Sequence, residues 1–129
     1  MHRLLDERGS APVEFLLVGT LLTALTLAVL QLGFLVYVRN IVHDAAVEGA
    51  HIAALADADP EDGVERTRSA IARAVGPDFV EDVSVVETLS LGVPTMEIRV
   101  RATLPVVGLV GVPSGLEVSG RAPKESFDD

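Results

Sequence analysis

Three histidines, nineteen carboxylates and no cysteine are the raw material for chemistry in this chain of 129 residues. Without cysteine there are no disulfides, no thiolate zinc sites, no iron–sulfur clusters and no thiol nucleophile. Asp44, Glu48 and His51 are spaced by four and three residues, so they share one face of a helix. A metal would accept that set, and a solvated helix face explains it equally well. Asp57, Asp59, Glu61, Asp62 and Glu65 resemble a calcium loop only in being acidic, because the required mid-loop glycine and closing bidentate glutamate are missing. G-x-S-x-G, HExxH and Walker patterns are all absent, and the glycines of PVVGLVGVPSG lack the Lys-Ser/Thr ending of a phosphate loop. No catalytic residue, metal or cofactor is therefore assigned, and the chain is not expected to be an enzyme. The carboxylate that stands out is Glu14, at the edge of an apolar run with no base beside it. At a bilayer midplane such a group costs roughly 2.5–3.5 kcal/mol, less near the interface, and usually serves a function. An interfacial acid at the start of a helix is the plainer alternative.

The elements that hold these residues follow from hydropathy. From Phe15 to Val38, 24 residues contain no Asp, Glu, Lys, Arg or His. As a helix they extend roughly 36 Å, more than the ~30 Å hydrocarbon core of a bilayer. So small a protein cannot wrap such a rod on every side, and the segment is read as one transmembrane helix. Tyr37 and Arg39 close it with an aromatic and a cation, as an interface favours. Secretory cleavage is the rival reading. It wants a core of only about 7–15 apolar residues followed soon by a small-residue site. Here the nearest A-x-A candidate, Ala54-Leu55-Ala56, lies well beyond Val38.

Charge divides on either side of the span. Residues 1–14 carry two basic and three acidic side chains, and residues 39–129 carry eight against sixteen. The formal net charge of −9 disfavours nucleic acid as a partner. Close to the membrane, Arg3 and Arg8 precede the helix and Arg39 follows it, which places the N-terminus in the cytoplasm.

Beyond Arg39 the helix should continue through the alanine-rich RNIVHDAAVEGAHIAALA to Ala56, with Ile41, Ala45, Ile52 and Leu55 at helical spacing. DADPED then breaks it at Pro60. Glu61 to Val75 reads as a second helix, with Val64, Ile71 and Val75 inward, Arg66, Arg68 and Arg73 outward, and Gly76-Pro77 as its stop. Next the period becomes two. Phe79 to Leu89 is rich in β-branched residues, and Met96 to Leu104 alternates apolar Met96, Ile98, Val100, Ala102 and Leu104 with Glu97, Arg99, Arg101 and Thr103. Ser90 to Pro94, with Gly92, suits a hairpin connection. Pro105 to Ser114 reads as an irregular segment against core or membrane, Leu116 to Ala122 as a third strand, and APKESFDD as a frayed tail. The expected fold is α+β: a long N-terminal helix leading into a small head, where one helix packs on about three antiparallel strands.

The stretch ERGSAPVEFLLVGTLLTALTLAVLQLGFLVYVRNIVHDAAVEGAHIAAL resembles the N-terminus of TadE-like pseudopilins, small membrane proteins of the Flp/Tad pilus system. In that family a short leader ends in glycine, and a prepilin peptidase cuts after it. The mature helix carries glutamate at its fifth position, followed by phenylalanine. The resemblance implies a leader of residues 1–9 cut between Gly9 and Ser10, and subunit assembly through Glu14 and Phe15. Pro12 departs from the pattern and is tolerable in a first helical turn. The implied organisation is a leader at 1–9, a helix at 10–56 with its span at 15–38, and an extracytoplasmic head at 57–129. The implied partners are the membrane, a prepilin peptidase and other pilin-like subunits. A single-pass anchored binding module that never polymerises is the other reading of the same layout.

Overall fold

The computed structural model describes residues 2–106 and 110–126, with side chains described for 9–104 and 115–126. Two helices, α1 (His2–Ala54) and α2 (Pro60–Val75), are followed by a single 3₁₀ turn at Pro77–Phe79. Three strands come next: β1 (Val80–Ser90), β2 (Val93–Val106) and β3 (Val110–Pro123). The chain forms two compact units, Met1–Phe34 and Leu35–Asp129.

The first unit is helix alone. Its large apolar side chains are bare: Phe15 is 81% exposed, and Leu21, Leu25 and Leu30 are also exposed. Residues Gly9–Ala54 include a stretch apolar and long enough to cross a membrane. Threonine hydroxyls within it are satisfied locally. Thr20 Oγ1 donates to Leu16 O at 2.7 Å and Thr26 Oγ1 to Leu22 O at 2.8 Å, which removes the cost of a free polar group in hydrocarbon. Helix α1 starts at His2, ahead of the expected Ser10, so Pro12 lies inside the helix. It can donate no backbone hydrogen bond there.

In the second unit, the last five turns of α1 and the whole of α2 lie on one face of the sheet. The buried stripe of α1 is Val38, Val42, Ala45, Ala46, Ala50, Ala53 and Ala54, all at most 5% exposed. This corrects the expected face: Ile41 and Ile52 are only half-buried and Leu55 is exposed. Small side chains win because backbones approach closely here. A methyl on Gly49 would come within 2.6 Å of Gly63 O, and one on Gly63 within 2.8 Å of Ala53 Cβ. Gly120 of β3 likewise sits against the α1 backbone at Ala46 and Val47. Thr67 fills the α1–α2 crossing, its hydroxyl 2.8 Å from Gly63 O and 3.2 Å from Ala45 O. As expected, α2 turns Val64 and Ile71 inward and its arginines outward, with Val75 half-buried. Asp59 caps it by accepting from Glu61 N at 3.0 Å, Pro60 begins it, and Gly76 ends it at φ 110°.

The sheet is an antiparallel meander in the order β1-β2-β3. Val83, Met96, Ile98, Val100, Ala102, Leu116, Val118 and Ala122 point to the helices. The β1–β2 connection is a two-residue turn, Leu91-Gly92, with both φ positive (51° and 79°) and Ser90 paired to Val93. Such a turn matches the strand twist but favours Asn or Gly over leucine at its first position.

Three expectations need correction. Pro105 to Ser114 is largely strand: β2 runs to Val106 and β3 starts at Val110, with Val106 paired to Val110 and Leu104 to Val112. Residues 107–109 of that segment lie outside the described residues. The tail is tied down as far as Glu125, because Lys124 N donates to Pro94 O at 2.9 Å and Glu125 N to Ala54 O at 2.7 Å. Glu97, placed by alternation on a wet face, is 4% exposed.

Candidate functional site

The residues expected to act together begin at the glycine before the apolar run. Gly9, Ser10, Glu14 and Phe15 all lie on α1 and are exposed. A side chain at Gly9 would meet nothing within 4 Å, so nothing in the fold itself demands glycine there. Ser10 Oγ donates to Glu14 Oε1 at 3.2 Å, one helical turn apart. Residues four apart on a helix are neighbours, so the Glu14 carboxylate is already held over residue 10. Phe15 begins a shallow groove along the helix that continues past Gly19 and Thr23 to Leu27. Small side chains in such a groove allow another helix to approach closely in a membrane.

The other candidate set is dispersed by its contacts. His51 Nδ1 is 2.8 Å from Val47 O in its own helix. Glu48 Oε1 accepts from Arg66 Nε and Nη2 of α2, at 3.1 and 2.9 Å. Asp44 lies 3.9 Å from His43 Nδ1. Sharing a helix face did not make Asp44, Glu48 and His51 converge. Among the described residues no group of three or more His, Asp or Glu side chains could hold a metal ion.

The sequence reading missed a cluster on the sheet face away from the helices. Glu97 Oε1 accepts from Arg99 Nε at 2.9 Å, and Oε2 from Arg121 Nε at 3.2 Å. The hydrogen bond from Arg99 is the largest influence on Glu97 and holds its carboxyl below the usual range, helped by Arg121 and opposed by burial. The alternation of Glu97 with Arg99 was a legible signal. Arg121 was not, because it meets Glu97 only through the β2–β3 register.

An α+β protein with, among the described residues, a single N-terminal apolar helix of membrane-spanning length is the class that fold and site define. More narrowly, residues 9–51 match the family model described as TadE-like protein. The match covers the apolar helix and its continuation, and over that stretch the chain is similar to TadE-like proteins. It contains Gly9, Ser10, Glu14 and Phe15, and it ends at His51 within the second unit. No curated protein and no solved structure matches the chain.

Proposed function

We propose that this is a minor pseudopilin-like membrane protein that acts in assembly of a Flp/Tad pilus or a related secretion apparatus. A prepilin peptidase removes residues 1–9, the N-terminus starts in the cytoplasm, and the head lies outside the membrane. The mechanism is packing rather than catalysis: α1 exchanges lipid for the helices of other pilin-like subunits. The observation that carries this reading is the Glu14 carboxylate held over Ser10, 3.2 Å from its hydroxyl, at the mouth of a bare apolar helix. Cutting the Gly9–Ser10 peptide bond frees the α-amino group of Ser10, which is cationic. Glu14 then has a partner in its own helix or in a neighbour's, and both charges leave water together.

Removing one partner of such a buried pair costs about 3–5 kcal/mol, since the other charge is left alone. Glu14→Ala should therefore still insert and still be cut after Gly9, yet fail to co-purify with pilin-like partners. Glu14→Asp should be intermediate because its shorter arm loses reach. Gly9→Leu should block the cut, as read by intact mass. Equal partner recovery with wild type and Glu14→Ala would leave Glu14 a mere interfacial acid, and a mature N-terminus elsewhere would remove the leader.

A further inference from the structure

Beyond the end of α1, four large apolar residues are exposed among the described residues, and three of them, Leu89, Leu91 and Val93, belong to the β1–β2 hairpin. Leu91 is fully exposed, and its backbone is left-handed at φ 51°. That backbone is costly for leucine, and a two-residue turn followed by glycine takes asparagine there without the cost. Nothing in the fold offsets it, because the Leu91 side chain buries nothing. Strain of this kind persists at binding and switching sites.

The three apolar side chains do not share one face. Met96 is buried toward the helices, and its partner across the ladder is Glu87. Side chains alternate along a strand, so Leu89, two residues past Glu87, is on the helix side. Val93, two residues before Thr95, is on the outer side with Glu97, and Leu91 is at the apex between them. A flat surface cannot cover both faces and the end of a hairpin at once. A pocket can.

The surroundings of the hairpin set the chemistry of that pocket's rim. Lys124 N donates to Pro94 O and Glu125 N to Ala54 O, so consecutive residues tie the hairpin end of the sheet to the end of α1. Gly63 of α2 lies against Ala53, which brings the α1–α2 turn to the same end. That turn exposes Asp57, Asp59, Glu61 and Asp62, with no base among residues 55–63. Lys124 is already paired with Glu87 at 3.2 Å.

We propose that the β1–β2 hairpin is a plug for a second protein. Leu91 enters an apolar pocket of the partner with Leu89 and Val93 against its walls, and lysine or arginine side chains on the rim meet the acids of the α1–α2 turn. An apolar anchor in a pocket with complementary charge around it is the arrangement that concentrates binding energy and selects a partner. Protein is the occupant rather than lipid, since the same acids repel anionic headgroups. This contact belongs to the head alone. It needs neither the cut after Gly9 nor the pairing of Glu14, so it stands or falls apart from the reading above.

The full-length protein, with photoreactive p-benzoylphenylalanine in place of Leu91 or of exposed Ser69 on α2, is irradiated in cells of its native host, and adducts are mapped by mass spectrometry. Position 91 should give one discrete protein adduct, at apolar residues with Lys or Arg beside them, and position 69 should not give it. In detergent extracts, recovery of that partner should fall about tenfold or more with Leu91→Asn and be retained with Leu91→Met, which stays apolar. Recovery should also weaken as salt rises and screens the rim. Leu91→Asn should melt no lower than wild type, which separates lost binding from lost folding. No protein adduct, lipid adducts alone, the same adduct from both positions, an adduct site without apolar residues and cations, or full recovery with Leu91→Asn would each overturn the plug.

Discussion

Replacing Glu97 by glutamine removes a charge from a position only 4% exposed while keeping the side chain's shape. Two charge-assisted hydrogen bonds are affected, at 2.9 and 3.2 Å, and the glutamine amide presents a donor where an arginine needs an acceptor. Breaking a fully buried pair costs about 3–5 kcal/mol. Here Arg99 and Arg121 are 55% and 60% exposed and recover water once released, so the loss falls to about 2 kcal/mol. For a head of this size that is a melting shift of about 10 °C. The pH dependence has a fixed sign. The folded carboxyl titrates below its ordinary 4.5, so its stabilisation is present above that value and is lost as pH falls through the lower, folded value. Wild type should melt about 10 °C above Glu97→Gln near pH 7, and the gap should narrow in acid as pH falls through the lowered, folded titration of Glu97. Thermal melts in detergent, followed by the β-sheet circular dichroism signal, measure both. A gap of the same size near neutrality and in acid would show that packing, not charge, is responsible, and would refute the reasoning.

Gly49→Ala should destabilise the head by about 1–2 kcal/mol, the cost of overpacking against the Gly63 backbone less the gain in helix propensity. Gly33→Ala, where an added methyl meets nothing within 4 Å, should leave head melting unchanged in the same assay. Leu91→Asn should stabilise the head by about 1 kcal/mol in urea unfolding, because leucine at φ 51° pays for a left-handed backbone that asparagine accepts. Leu91 is fully exposed, so no packing is lost to offset the gain.

What the sequence revealed and what it hid divide along one line, between local and long-range determinants. Helix α2, the Gly76 stop, strand β2 and the turn at Gly92 depend on neighbours a few residues apart, and their spacing sufficed. The face α1 buries did not, because hydrophobicity favoured Ile41 and Ile52 whereas close backbone approach at Gly49, Gly63 and Gly120 selected alanines. That approach involves residues as far apart as 46 and 120. Glu97 was misplaced for the same kind of reason: alternation gave its face, but its cover comes partly from Arg121 on the next strand. The glycines of PVVGLVGVPS argued against a strand, yet the β2–β3 ladder carries backbone pairs on both sides of residues 107–109. At the N-terminal site the types and order of Gly9, Ser10, Glu14 and Phe15 were legible outright, and the Ser10–Glu14 contact is what helical spacing makes of them.

The contacts of β3 with α1 bear on the order in which the chain matures. The meander pairs strands adjacent in sequence, and low contact order of that kind forms quickly. Closing Gly120 onto Ala46 and Glu125 onto Ala54 instead joins the final strand to the first helix. During synthesis α1 is made and can insert long before β3 leaves the ribosome, so its alanine face has no cover from β3 in the interval. Exposed apolar surface in incomplete chains invites aggregation, which makes this interval the time when a chaperone or translocation factor has most to protect.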